Sequence, residues 1–249
     1  MDRYIAINVE NGTTLILAQH GGNYFQHKSH FNSLLEVKIA DKYLSWGNIK
    51  NKKIVPFGVI KNLKKNQKIG NKIIVEVRMR KGYNREIKID SGFLESQKYL
   101  KDLCNFFSLI KDDKLIKNLF IKLHSVKSFW HEKDQFLYSN SNLRFLDESK
   151  KMVEEMQTAK VIIQTFCSTG HLETLAVNKP TLMYLTHDLR LLENKSRKYF
   201  LKFKQLGIVH TNPKSLYKKL IQINKNGELE NWWYQKKIQN LIKKYRNDY

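Results

Sequence analysis

Apolar and polar positions along the chain follow two rhythms. Short, nearly unbroken apolar runs at 13–18, 72–78, 118–123, 160–165 and 181–185 read as buried strands. Two further runs, 42–46 and 53–57, read as strands stopped by Gly47 and Gly58. Between them lie stretches with helical spacing. In 95–111, Leu100, Leu103, Phe106, Phe107 and Ile110 fall on one face. Helices are also predicted over 147–159 with Asp147 as cap, 170–178, 189–206, 213–223 and 231–246, with a strand at 207–210. Strands alternating with helices predict an α/β fold: a Rossmann-like, doubly wound parallel sheet covered on both faces. Residues 61–72 are Lys/Asn-rich without apolar period and read as a linker. The expected organisation is therefore 1–60, a linker at 61–72, and a larger domain over 73–249.

Composition sharpens this picture mainly through charge. The 249 residues carry a formal net charge of +22, from 45 Lys+Arg against 23 Asp+Glu. Of the basic residues 37 are Lys and only 8 Arg, spread along the chain and accompanied by Ile and Asn. Base and phosphate readout leans on Arg, so nucleic acid is not the expected partner. Lys-rich drift on solvated faces explains much of the excess. The functional reading left is attraction to an anionic substrate or an anionic membrane surface. An apolar content of 41% is enough for a core and excludes a disordered basic tail. No apolar run is long enough for a spanning helix. The start, Met1 to Asn8, lacks signal-peptide features. Cys104 and Cys167 make neither a disulfide framework nor a zinc site. The expected compartment is the cytoplasm, with peripheral contact at the inner membrane face.

Two loops carry candidate chemistry. Thr165-Phe166-Cys167-Ser168-Thr169-Gly170 ends a strand and opens a helix. Backbone N–H groups and the helix dipole there favour a phosphate, and open α/β sheets bind ligands at this edge. Glu173, one turn in, suits sugar or ribose hydroxyls. The bland alternative is an ordinary cap, with Glu173 completing a capping box. The second loop is Gln19-His20-Gly21-Gly22-Asn23-Tyr24. Its glycines let backbone approach a ligand closely, and an imidazole suits base chemistry near neutrality; the alternative is a surface turn. His27 and His30 follow at irregular spacing, weak as metal ligands. Arg78, Arg80 and Lys81 follow the first strand of the second series and suit a diphosphate, or a solvated turn. His124 ends a strand at the right edge. Trp232 and Trp233 read as core packing rather than a stacking platform.

These residues bring a family into view. Ala18 through Tyr24, Glu36, Ile39 through Gly47, Val55 through Gly58, Thr165 through Pro180, Tyr199 through Ile208 and Trp232-Trp233 resemble transferases of bacterial surface-polysaccharide biosynthesis. The resemblance runs over nearly the whole chain. More distantly the order is similar to two-domain GT-B glycosyltransferases, nucleotide-sugar 2-epimerases and glycerophosphotransferases of wall-polymer synthesis. It implies a transferase without cofactor or metal, using a nucleotide-sugar donor and a glycan or lipid-linked acceptor. His20 is then the candidate base, supported by Gly21, Gly22 and Tyr24. Ser168, Thr169, Gly170, Glu173 and Arg78 become candidate donor-binding residues. Other readings stay open: an epimerase on the same scaffold, a non-catalytic remnant, or a basic nucleic-acid or membrane-surface binder. The family pattern has a whole Rossmann domain before the His-Gly-Gly loop, so the chain is expected to resemble the C-terminal part, GT-B-type, with a remnant of the N-terminal domain; a separate chain would supply the rest. Phe25 stands where the pattern has a small residue, and Cys167 where it has a polar one.

Overall fold

A computed structural model describes residues 2–28, 30–58, 70–78, 93–124, 130–185 and 189–249. The described residues form two parallel sheets with helices around them. The first sheet has three strands in the order β1 (Ile16–Ala18), β2 (Lys42–Ser45) and β3 (Ile54–Pro56). It is accompanied by α1 (Asp2–Glu10) and α2 (Phe31–Ile39), the latter joining β1 to β2. The second sheet has six parallel strands: β4 (Lys72–Val77), β5 (Leu119–Leu123), β6 (Arg144–Phe145), β7 (Ala159–Gln164), β8 (Thr181–Tyr184) and β9 (Val209–His210). Their spatial order is β6-β5-β4-β7-β8-β9. The chain thus winds outward in one direction from β4 and in the other from β7. The carboxyl ends of β4 and β7 flank the point where the order reverses, which is where open α/β sheets form their ligand crevice.

The α/β, doubly wound expectation holds, because the strands are the long apolar runs of the sequence. Buried on both faces, they alternate their side chains between two cores. Ile73, Val75 and Val77 join the larger core with α3 (Phe93–Leu109), where Leu103, Phe106 and Phe107 are fully buried. Ile74 and Ile162 face the other side, against Met156 of α6 (Met152–Thr158) and Val177 after α7 (Thr169–Ala176). Helix α9 (Pro213–Ile223) has the predicted bounds. Pro213 sits in its first turn, and Asn212 caps it by accepting from the Ser215 N–H at 2.9 Å. Trp232 and Trp233 are buried as expected, in α10 (Glu228–Trp233). Their indole N–H groups donate to the Leu206 carbonyl at 2.9 Å and the Asn178 carbonyl at 3.2 Å.

Several details differ from the sequence reading. Asp147 does not cap a helix: it accepts from the Ser149 N–H and hydroxyl at 2.9 and 2.8 Å, and α6 begins only at Met152. A local Asx turn has outcompeted helix initiation. The stretch 189–206 divides into a 3-10 turn, Leu189–Leu191, and α8 (Asn194–Gln205). The final stretch divides at Tyr234 and Gln235 into α10 and α11 (Lys236–Asp248). Unforeseen elements are α1, α2, α4 (Asp113–Asn118), α5 (Glu132–Ser139) and β6. Asn118 closes α4 instead of opening β5, and Lys72 already belongs to β4. Residues 61–69 of the expected linker lie outside the described residues, as do Arg80 and Lys81. No described helix is long and apolar enough to cross a membrane.

Candidate functional site

The His-Gly-Gly loop leaves the carboxyl end of β1 and is fixed at once by Gln19. Its backbone N–H donates to the Leu44 carbonyl at 2.8 Å, and its side chain bridges the Gly21 carbonyl (2.9 Å) and the Trp46 N–H (3.0 Å). His20 follows with its side chain 68% exposed. Tyr24 turns inward and is buried. Its hydroxyl donates to Glu36 Oε1 at 2.8 Å and lies 2.9 Å from His20 Nδ1 and 3.0 Å from Nε2. The Tyr43 hydroxyl donates to the other Glu36 oxygen at 3.1 Å. Burial, reinforced by Glu36, holds the protons on both phenols. With the Tyr24 proton committed to Glu36, its oxygen accepts from an imidazole N–H.

The Ser-Thr-Gly turn leaves the carboxyl end of β7. Ser168 occupies the N-cap of α7 in an extended conformation, but makes no side-chain capping bond. Glu173 lies beyond the first turn, so the expected capping box does not form. The turn instead meets the first loop. The Gly22 N–H donates to Thr169 Oγ1 at 3.0 Å, and a Cβ at Gly22 would stand 2.6 Å from the Ser168 carbonyl and the Thr169 nitrogen. Only glycine lets the two backbones touch. His20, two residues from Gly22, has its Cα within about 7 Å of the Gly22 Cα by chain geometry. Gly22, Ser168 and Thr169 are thereby brought together, while the His20 side chain is held by Tyr24.

A buried polar chain secures this seam. The Gln26 amide donates to the Gly22 carbonyl, while its oxygen accepts from the Tyr245 hydroxyl of α11 at 2.8 Å. That hydroxyl lies 3.0 Å from Nε2 of fully buried His171 on α7. Burial, with His27 nearby, pushes the His171 imidazole down to about 3, so it is neutral and donates through Nε2. The Lys28 N–H and Glu193 N–H continue the seam by bonding Leu191 and Gln26 carbonyls at 3.0 and 2.8 Å. Phe25 pays in strain, at φ 61°, in the left-handed region that favours glycine.

Behind the turn, Gly170 faces inward. A Cβ there would stand 2.9 Å from both Gln164 Oε1 and Glu76 Oε2, so Gly170 is required by packing on its inner side. Glu173, in the next turn of α7, is buried and within electrostatic reach of Glu76. Burial pushes the Glu76 carboxyl up to about 7; Glu173 adds to the rise, while Gln164, Arg78 and Lys122 oppose it. Arg78 is exposed past the end of β4. Burial lowers the His124 imidazole, and Arg78 and Lys122 lower it further, so these cations share one edge. Gly21 lies against the Tyr24 ring, 3.5 Å from where its Cβ would be. Among the described residues no three of His, Cys, Asp or Glu converge as a metal set.

The sequence reading did not single out Glu36, Gln26, Tyr245, Glu76 or Gln164 as site residues. One signal was available: a glutamate inside the apolar run Ile73-Ile74-Val75-Glu76-Val77, where a charge is rare without a purpose.

The chain matches none of the curated proteins by sequence. Among solved structures it is similar to Staphylococcus aureus MnaA, solved with UDP. That match has a TM-score of 0.51 and 12% identity, over 92% of this chain and 64% of that one. It is also similar to a Listeria monocytogenes protein assigned as a UDP-N-acetylglucosamine 2-epimerase. Here the TM-score is 0.52 and the identity 10%, over 96% of this chain and 67% of that one. The chain therefore spans about two thirds of the length of these relatives, and the shared feature is a GT-B-like, Rossmann-type fold. Residues 2–249 match the model of the LIC12162 family transferases, and the chain belongs to that family.

Proposed function

We propose that the protein transfers a sugar, or a related phosphate-linked group, from a nucleotide-activated donor to a cell-surface polysaccharide precursor. The observation that carries this reading is the seam at Gly22 and Thr169, 3.0 Å long. It holds the backbone of the loop that carries His20 against the N-terminus of an eight-residue helix, which supports reading the loop and the turn as one site. In this reading Ser168 and the first-turn N–H groups of α7 hold the donor phosphates, with Thr169 bracing the two walls. Glu173 takes donor hydroxyls and Arg78 the diphosphate charge. His20, oriented by Tyr24 and Glu36, deprotonates the acceptor hydroxyl. Positive charge along the edge favours the departing diphosphate.

Calorimetric titration with a panel of UDP- and CDP-linked sugars tests the donor site. Ser168→Ala and Glu173→Ala are expected to weaken binding at least tenfold; unchanged affinity in both sinks the assignment. His20→Ala should keep donor affinity and lose transfer. The likeness to a 2-epimerase favours one second reading, epimerisation of the donor, which product analysis separates from transfer.

The acceptor is a glycan or lipid-linked precursor, met by an enzyme working at the cytoplasmic face of the membrane. The apolar surface of the three-stranded sheet is the place where a further polypeptide would complete the N-terminal wall. Light scattering and co-purification with a candidate N-terminal half test this. An isolated chain that is monodisperse and fully active overturns it.

A further inference from the structure

Glu76 is a charged position that the transfer reading does not use. Its register partners are Lys122 on β5 and Gln164 on β7, which places it mid-sheet at the edge where the strand order reverses. By strand alternation it shares a face with Ile74 and Ile162, the face covered by α6 and α7. There its Oε2 lies against Gly170 in the first turn of α7, two residues past Ser168. Gln164 lies beside it and is fully buried. Glu76 Oε2 and both polar atoms of Gln164 are closed to solvent, and the group that answers the carboxyl there is the Gln164 side chain beside it. A carboxyl enclosed with a single amide is short of partners for its full charge, and such groups cluster where a ligand or proton is handled.

We propose that Glu76, backed by Gln164, is the proton-holding wall of the donor site: its carboxyl takes up a proton when an anionic diphosphate settles on the first turn of α7. This rests on the reading of that turn as the donor's phosphate seat. The physics is like-charge exclusion in an enclosed place. The groups facing Glu76 from each neighbouring element are Glu173 on α7, Lys122 on β5, Arg78 on its own strand and Tyr99 on α3. Lys122 is already engaged, its ammonium donating to the Asp147 and Glu148 carbonyls at 2.7 and 3.0 Å. The Tyr99 hydroxyl, 2.5 Å from Thr165 Oγ1, is neutral. Burial outweighs the two cations, so the carboxyl already titrates near neutrality. A second negative charge on α7 then pushes it to the protonated side, and a neutral wall admits the donor.

The experiment is calorimetric titration of the whole chain with UDP-N-acetylglucosamine, whose diphosphate has no group titrating near neutrality. It is run at pH 7.5 in buffers of differing ionisation enthalpy. The wild type is expected to take up roughly three quarters of a proton per donor, with affinity falling as pH rises above 7. In Glu76→Gln the uptake vanishes and affinity becomes level between about pH 6.5 and 8.5. Binding with equal uptake in both proteins overturns the proposal while leaving the donor site standing. Absence of binding in both overturns the proposal together with the donor site. A ligand-free control guards against misfolding: denaturant midpoints of the wild type should fall with pH through about 7 and those of Glu76→Gln should not. Parallel midpoints also overturn it.

Discussion

The two sheets are built from the same kind of unit and stabilised in opposite ways. The six-stranded sheet buries its apolar side chains in two cores of its own. The three-stranded sheet has a small cluster, Tyr24, Tyr43 and Ile54, and leaves much of its apolar surface outside. Of the exposed large hydrophobic residues among those described, ten lie between Tyr4 and Phe57 and four in the rest of the chain. Phe31, Leu34 and Ile39 on α2 are each more than half exposed. What fixes the small sheet is borrowed. Gly47 lies so close to Tyr249 that a Cβ would stand 2.3 Å from its nitrogen, and the Asn48 N–H bonds the Asn247 carbonyl at 3.1 Å. The larger sheet is thus a platform, and the smaller one carries the His-Gly-Gly loop, held to it by backbone contacts and by Phe25, Trp46 and Ile49 packed on its core.

Substitutions in the two regions should separate these modes of stability. The largest effect belongs to the self-contained core: Trp233→Ala is expected to cost about 3–5 kcal/mol in denaturant unfolding. A cost under about 1 kcal/mol would make the core as loose as the small sheet. Next comes Glu76→Gln. Its folded-state carboxyl sits at about 7 against an ordinary 4.5, so wild-type stability is highest below the ordinary value and lost as pH rises through 7. The variant should therefore gain on the wild type up to about 3 kcal/mol at pH 8 and nothing at pH 4. The seam is third. Tyr245→Phe leaves Gln26 and His171 short of partners, at a cost of about 2 kcal/mol. Hydrogen exchange should show the Gly22 amide opening while β4 and β7 stay protected; uniform loss of protection would deny the distinction. The smallest effect is Leu34→Ser on α2, within about 0.5 kcal/mol. A larger cost would mean that this face is covered in solution.

The larger sheet was legible because its strands are continuous apolar runs and because helix α9 carries both a cap and a proline at its start. The smaller region was less so. Helices α1 and α2 turn their apolar residues outward, so their pattern does not point to a core. The break between α10 and α11 at Tyr234 and Gln235 has no Gly or Pro to announce it. At the site, glycines and a histidine mark the loop, and small hydroxyl residues mark the turn. Their meeting depends on Gln26 and Tyr245, ordinary residues far apart in sequence. Glu36 was visible as part of a resembling pattern, but its two phenol partners emerge only in the fold. Asp147 shows the converse: a plausible cap whose nearest partner won.

The pairing of Gln26 with Tyr245 spans 219 residues. During synthesis the His-Gly-Gly loop leaves the ribosome long before α11. A contact so distant in sequence closes late and slowly. The seam between the loop and α7 therefore lacks its α11 brace until the platform beneath it has been completed. Any length of chain made before α11 thus carries the loop without this brace.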